Sequence, residues 1–154
     1  MPPGPLHFAM RLGLGVWPQM KREAASFINL DLEVNSGVSL SRLAEHLEGS
    51  VFILHNGGVK GMYRLCAEPL VGGRLSKSIR ACTAHFLDLL EALPSDLAAT
   101  FKCTKSRVFD YGFEGGFESK PLSVHISQAH LTRIARLGLQ VRITIYPHRG
   151  AADA

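Results

Sequence analysis

The sequence predicts a single α+β domain: a mostly antiparallel sheet of about six strands, with about three to four helices packed on one face. Three observations carry that expectation. Several short stretches alternate apolar and polar residues, as strands with one wet face do. Between them, apolar residues recur at helical spacing. Two hairpins interrupt the strand–helix alternation, and the polar alternate positions argue against a doubly wound parallel sheet.

The elements follow in order. Residues 26–34 read SFINLDLEV, with Ile28, Leu30, Leu32 and Val34 alternating against Asn29, Asp31 and Glu33. Asn35-Ser36-Gly37 reads as a turn. Ser39 is placed to cap a short helix carrying Leu40, Leu43, Ala44 and Leu47, which Gly49 ends. Residues 51–55 (VFILH) make a second strand, apolar enough to be central. Asn56-Gly57-Gly58 is a hairpin signal, since glycine accepts positive φ, and a return strand follows over about residues 60–68.

Gly72-Gly73 leads into the longest helix, about residues 75–93, whose stripe is Leu75, Ile79, Cys82, Phe86, Leu89, Leu90 and Leu93. Pro94 breaks it, and Ser95 can cap a second short helix to about residue 101. Residues 107–113 (RVFDYGF) are β-prone, with Phe109, Tyr111 and Phe113 on one face, read as core packing. Beyond a Gly115-Gly116 turn, Leu122, Val124 and Ile126 alternate with Ser123, His125 and Ser127, which reads as another strand. Ser127 then caps a helix that turns Leu131, Ile134, Ala135 and Leu137 inward and stops at Gly138. Leu139, Val141, Ile143 and Ile145 alternate in a last strand.

On this reading residues 26–147 form the domain, residues 1–25 are a poorly ordered N-terminal extension, and residues 148–154 are a tail. Met20 opens MKREAASFINL just ahead of the first strand and reads as a natural start.

Composition bounds the function. At 154 residues, with 46% hydrophobic and 19% charged residues, the chain has a globular composition. The net charge of +4 is mild. Its bases are scattered, in small groups at Arg74, Lys77 and Arg80 and at Arg133, Arg136 and Arg142, so a nucleic-acid partner is not expected. Three cysteines, Cys66, Cys82 and Cys103, make no disulfide framework or C-x-x-C pair. Cys66 and Cys82 fall on expected core faces, and reduced thiols point to the cytoplasm. No apolar run reaches the length of a membrane span.

No catalytic motif emerges. The seven histidines include His125 and His130 at a strand–helix junction, but no carboxylate or cysteine completes a metal set, so neither metal nor cofactor is expected. There is no G-x-S-x-G elbow. Cys103, in KCTK, falls at a helix C-terminus, which works against a reactive thiolate. The segment VGGRLSKS places Gly73, Arg74, Ser76 and Lys77 at a helix start, a candidate anion site that also suits ordinary capping. Asp31 and Glu33 read as the wet side of an exposed strand. Arg107 and Asp110 form a candidate polar site, although on one strand they point to opposite faces. The structural alternative has Arg107 pairing at the sheet end and Asp110 anchoring the glycine-rich turn.

SRVFDYGFEGG, LSVHISQAHLTRIARLGLQVRITIYP and FINLDLEVNSGVSLSRLAEHL together resemble the bacterial family grouped as domain of unknown function 4279. The match runs through Arg107, Phe109, Asp110 and Gly112, then Leu131, Leu137, Gly138, Ile143, Thr144, Ile145 and Tyr146. Phe101-Lys102-Cys103 departs from the tryptophan or charged residues that members often carry there. The resemblance implies the fold and a bacterial cytosolic setting, and transfers no activity or catalytic residue. The expected function is therefore a non-enzymatic module binding a protein partner. The alternative is a small-molecule or anion-binding protein, a class that includes enzymes.

Overall fold

The computed structural model describes residues 24–117 and 120–148. The expectations for an N-terminal extension, for Met20 as a start and for the last residues of the tail lie outside the described residues.

Among these residues five strands form one sheet: β1 (Ser26–Ser36), β2 (Val51–Val59), β3 (Met62–Pro69), β4 (Ser106–Glu114) and β5 (Gln140–Tyr146). Their order across the sheet is β2-β3-β1-β4-β5. The first three pairings are antiparallel; β4 and β5 run parallel. A parallel neighbour needs a crossover, supplied here by α4 (Gln128–Arg136). The other helices are α1 (Ser41–Leu47), α2 (Ile79–Glu91) and α3 (Ser95–Lys102), with a 3-10 turn over Gly73–Lys77. The chain is thus α+β with a mixed, mostly antiparallel sheet.

The alternation in β1 decides the layering. Leu30, Leu32 and Val34 are fully buried and meet Leu65 and Ala67 of β3 and Phe109, Tyr111 and Phe113 of β4. Onto this face pack Leu43 and Leu47 of α1, Cys82, Phe86 and Leu90 of α2, Leu97 and Phe101 of α3, and Ile134 of α4. Phe109 sits between two rings, tilted on Phe86 at 5.5 Å and edge-on to Tyr111 at 6.4 Å. The Tyr111 hydroxyl, buried in this layer, meets the Thr83 hydroxyl at 2.9 Å, and Thr83 donates onward to the carbonyl of Ile79.

Several local expectations are corrected. Among the described residues the sheet has five strands: β5 takes the ladder beside β4, and the alternating LSVHI stretch, residues 122–126, pairs with no strand. Asn56, Gly57 and Gly58 lie inside β2, and the turn falls at Lys60-Gly61. Gly58 serves a close strand approach, since a Cβ there would strike the carbonyl oxygen of Met62; Gly61, at φ +84°, makes the turn. The long helix is interrupted at Ser78, which stays extended and accepts the Ala81 N–H on its side chain to start α2. Ser39 and Ser95 are not N-caps: Leu40 and Pro94 hold those positions. Ser127 does cap α4, accepting the N–H of His130. Cys82 is a core residue, but Cys66 pairs with Glu33 on the opposite side of the sheet.

Candidate functional site

The sheet face away from the core helices carries a polar network assembled by register. Asp31 of β1 lies beside Asp110 of β4, which lies beside Arg142 of β5; Glu33 lies beside Cys66, and Asn29 beside Gly112. The Arg142 guanidinium bridges Glu33 at 2.6 Å and Asp110 at 2.7 Å. Thr144 donates its hydroxyl to the second oxygen of Asp110, and Arg64 reaches Glu33 at 3.2 Å. The Asn29 amide donates to both Asp31, at 3.0 Å, and Glu68, at 2.7 Å. Gly112 makes this possible, because a Cβ there would collide with the Asn29 side chain.

Among the described residues, Asp31 has no cation of its own. Burial, and then the charges of Glu68, Asp110 and Glu33, push its carboxyl up to about 7. The same surroundings, burial first, push the Cys66 thiol up to about 11, so it is a poor nucleophile at neutral pH. Among the described residues, no buried side-chain polar atom lacks a hydrogen-bond partner, and no group of three or more His, Cys, Asp or Glu is placed to hold a metal ion. The face is a satisfied network with one proton that titrates near neutrality.

The residues singled out from the sequence separate. Asp110 belongs to this network and ties β4 to β5; the expected anchoring of the glycine-rich turn is not what it does. Arg107 lies on the other face at the sheet end, as the alternation requires. It donates to the carbonyls of Phe101, Lys102, Thr104 and Gly138 and stacks 5.5 Å over the Phe101 ring, closing the C-terminus of α3.

In the Gly73–Lys77 turn, the Ser76 hydroxyl donates to the carbonyl of Gly73 and the Lys77 ammonium donates to that of Ile28. Lys77 also borders a cleft of about 760 Å³ lined by Ser26, Phe27, Glu114 and Tyr146. Neither this cleft nor a smaller one of about 180 Å³ beside it touches Arg74, Arg107 or Asp110. Of the other basic group, Arg133 is held between Asp88 and Glu91 at 2.6 and 2.7 Å.

The two sheet edges differ. β2 is interrupted by a bulge between Ile53 and His55. β5 runs in unbroken register with β4 and carries no proline and no lysine. Its Val141, Ile143 and Ile145 share the side of Phe109, Tyr111 and Phe113, yet they are 41%, 58% and 70% exposed. Among the described residues the helices bury Phe109, Tyr111 and Phe113 of β4 and leave Val141, Ile143 and Ile145 of β5 exposed.

Sequence reasoning missed Glu68, Arg64, Arg142 and Thr144 as partners of Asp31, Glu33 and Asp110, because only the register joins them. It also read β5 as half-buried. Comparison with protein-family models, curated proteins and solved structures returned no match. No helix among the described residues is long and apolar enough to cross a membrane.

Proposed function

We propose that this protein is a non-enzymatic interaction module whose β5 edge accepts a β-strand from a protein partner. The observation that supports the reading is the open apolar side of an unguarded edge strand. Natural edges are blunted by bulges, charges, prolines or brevity; β5 has seven residues, unbroken register with β4 and no proline, and its one charge, Arg142, is drawn inward by Glu33 and Asp110. An added strand would satisfy its free N–H and C=O groups and lay side chains against Val141, Ile143 and Ile145. The polar network beneath stiffens this edge, because Arg142 and Thr144 both bind Asp110.

Panning random extended peptides against the protein tests the reading. The expected ligands carry alternating apolar residues, protect β5 amides from hydrogen exchange and lose binding in Ile145→Lys. Peptides that protect the β2 edge or the polar face instead would refute it.

Small-molecule or anion binding remains the second reading, favoured by the cleft that Lys77 borders with Glu114 and Tyr146. Phosphate and carboxylate titrations followed by NMR would then shift the amides of Ser26 and Tyr146; unmoved spectra would retire it.

A further inference from the structure

We infer that the strand added to β5 is β5 of a second copy of this chain, paired antiparallel about a two-fold axis at Ile143. The inference rests on the interaction reading above and names its partner.

The sequence of the strand is self-complementary in that register. With Ile143 facing Ile143, Val141 faces Ile145 and Arg142 faces Thr144, so apolar residues meet apolar residues on one side and polar residues meet polar ones on the other. Shifting the pairing by one residue would set Ile143 against Arg142 or Thr144 and bring both sides into conflict. The charges also fit. Arg142 is the only charged residue of β5, and the two-fold pairing sets it beside Thr144 of the other copy rather than against its own counterpart. Within its own chain Arg142 is neutralised by Glu33 and Asp110, so it puts no unpaired charge at the edge.

The pairing is isologous and closes on itself, giving one continuous ten-stranded sheet from two five-stranded ones. The outer edges of that sheet are the two bulged β2 strands, which resist further growth. One guarded and one unguarded edge is the arrangement a closed dimer needs.

Sedimentation equilibrium and disulfide trapping of the full chain test this, with four variants. The expected wild-type species has twice the chain mass at high concentration. Ile143→Lys, which sets lysine against lysine on the axis, halves that mass, while Leu54→Lys on the β2 edge leaves it unchanged. In a Cys103→Ser background, Ile143→Cys forms an intermolecular disulfide on mild oxidation and Val141→Cys does not, because only residue 143 faces itself. A dimer that survives Ile143→Lys, or equal crosslinking at 141 and 143, overturns the inference. So does a wild-type monomer at every concentration. If that monomer still binds strand peptides at β5, the interaction reading stands and the second copy falls. If its β5 amides are already protected, a segment of the same chain covers the edge, and the second copy again falls.

Discussion

Replacing Asp31 by asparagine stabilises the protein above neutral pH. In the folded chain the Asp31 carboxyl is pushed up to about 7 from 3.8, first by burial and then by Glu68, Asp110 and Glu33. Between those values the native state holds a proton that the unfolded chain has released. This preference favours folding in full below about pH 3.8 and is lost as pH rises through about 7. Each pH unit in the interval is worth about 1.4 kcal/mol for an unscreened group, so going from about pH 5 to about pH 8 removes a nominal ~2.7 kcal/mol. The side chain is only partly buried, and solvent screening brings the loss down to ~1 kcal/mol. Asp31→Asn keeps the shape, carries no charge and presents an amide to Glu68. Urea unfolding at both pH values measures the difference. Wild type loses ~1 kcal/mol more than Asp31→Asn across the interval, and the variant is the more stable protein at about pH 8. Parallel pH profiles, or a variant weaker at high pH, would refute the account of a carboxyl short of cations.

Thr83→Val costs more than Tyr111→Phe. The first leaves the buried Tyr111 hydroxyl without a partner, at ~1–3 kcal/mol, whereas the second leaves Thr83 still donating to Ile79, at ~0.5–1.5 kcal/mol; thermal unfolding ranks them. Arg107→Leu frees the carbonyls at the end of α3 and destabilises by ~2 kcal/mol, and Arg107→Lys restores only part, because one ammonium cannot reproduce the guanidinium fork. Gly58→Ala meets Met62 and costs ~2 kcal/mol or more, while Gly49→Ala, at φ +84° in open space, costs ~1 kcal/mol; chemical denaturation separates them. A thiol reagent modifies one cysteine rapidly in the native protein, Cys103, and all three after unfolding, because Cys66 and Cys82 are buried with thiols pushed up. Two rapidly reacting cysteines would contradict that burial.

What the sequence carries well is local. The alternation of β1, the aromatic face of β4 and the apolar stripe of α2 each state their own burial, and the structure buries Leu30, Tyr111 and Phe86 accordingly. Partnership is another matter. Leu122, Val124 and Ile126 alternate as well as β5 does, yet β5 takes the ladder beside β4 and residues 122–126 join neither edge of the sheet. Gly57 and Gly58 carry the composition of a turn, yet here glycine makes room for a neighbouring strand. Asp31 looked like an exposed carboxylate because its neighbours Glu68 and Asp110 are 37 and 79 residues away in sequence; the proton it keeps is a property of register. The β5 edge was hidden for the same reason, since alternation does not reveal which strand the helices leave bare.

The position of β1 bears on the order in which the molecule assembles. Among the described residues, the first strand in the chain is the middle strand of the sheet, and its far partner β4 joins Ser26 to Glu114. During synthesis the ribosome therefore releases the centre of the sheet first and must deliver most of the chain before that centre acquires its second neighbour. Contacts so distant in sequence close slowly. Until they do, the β4 side of β1 lies open even after β3 has paired, and Leu30 and Leu32 wait for Tyr111 and Phe109.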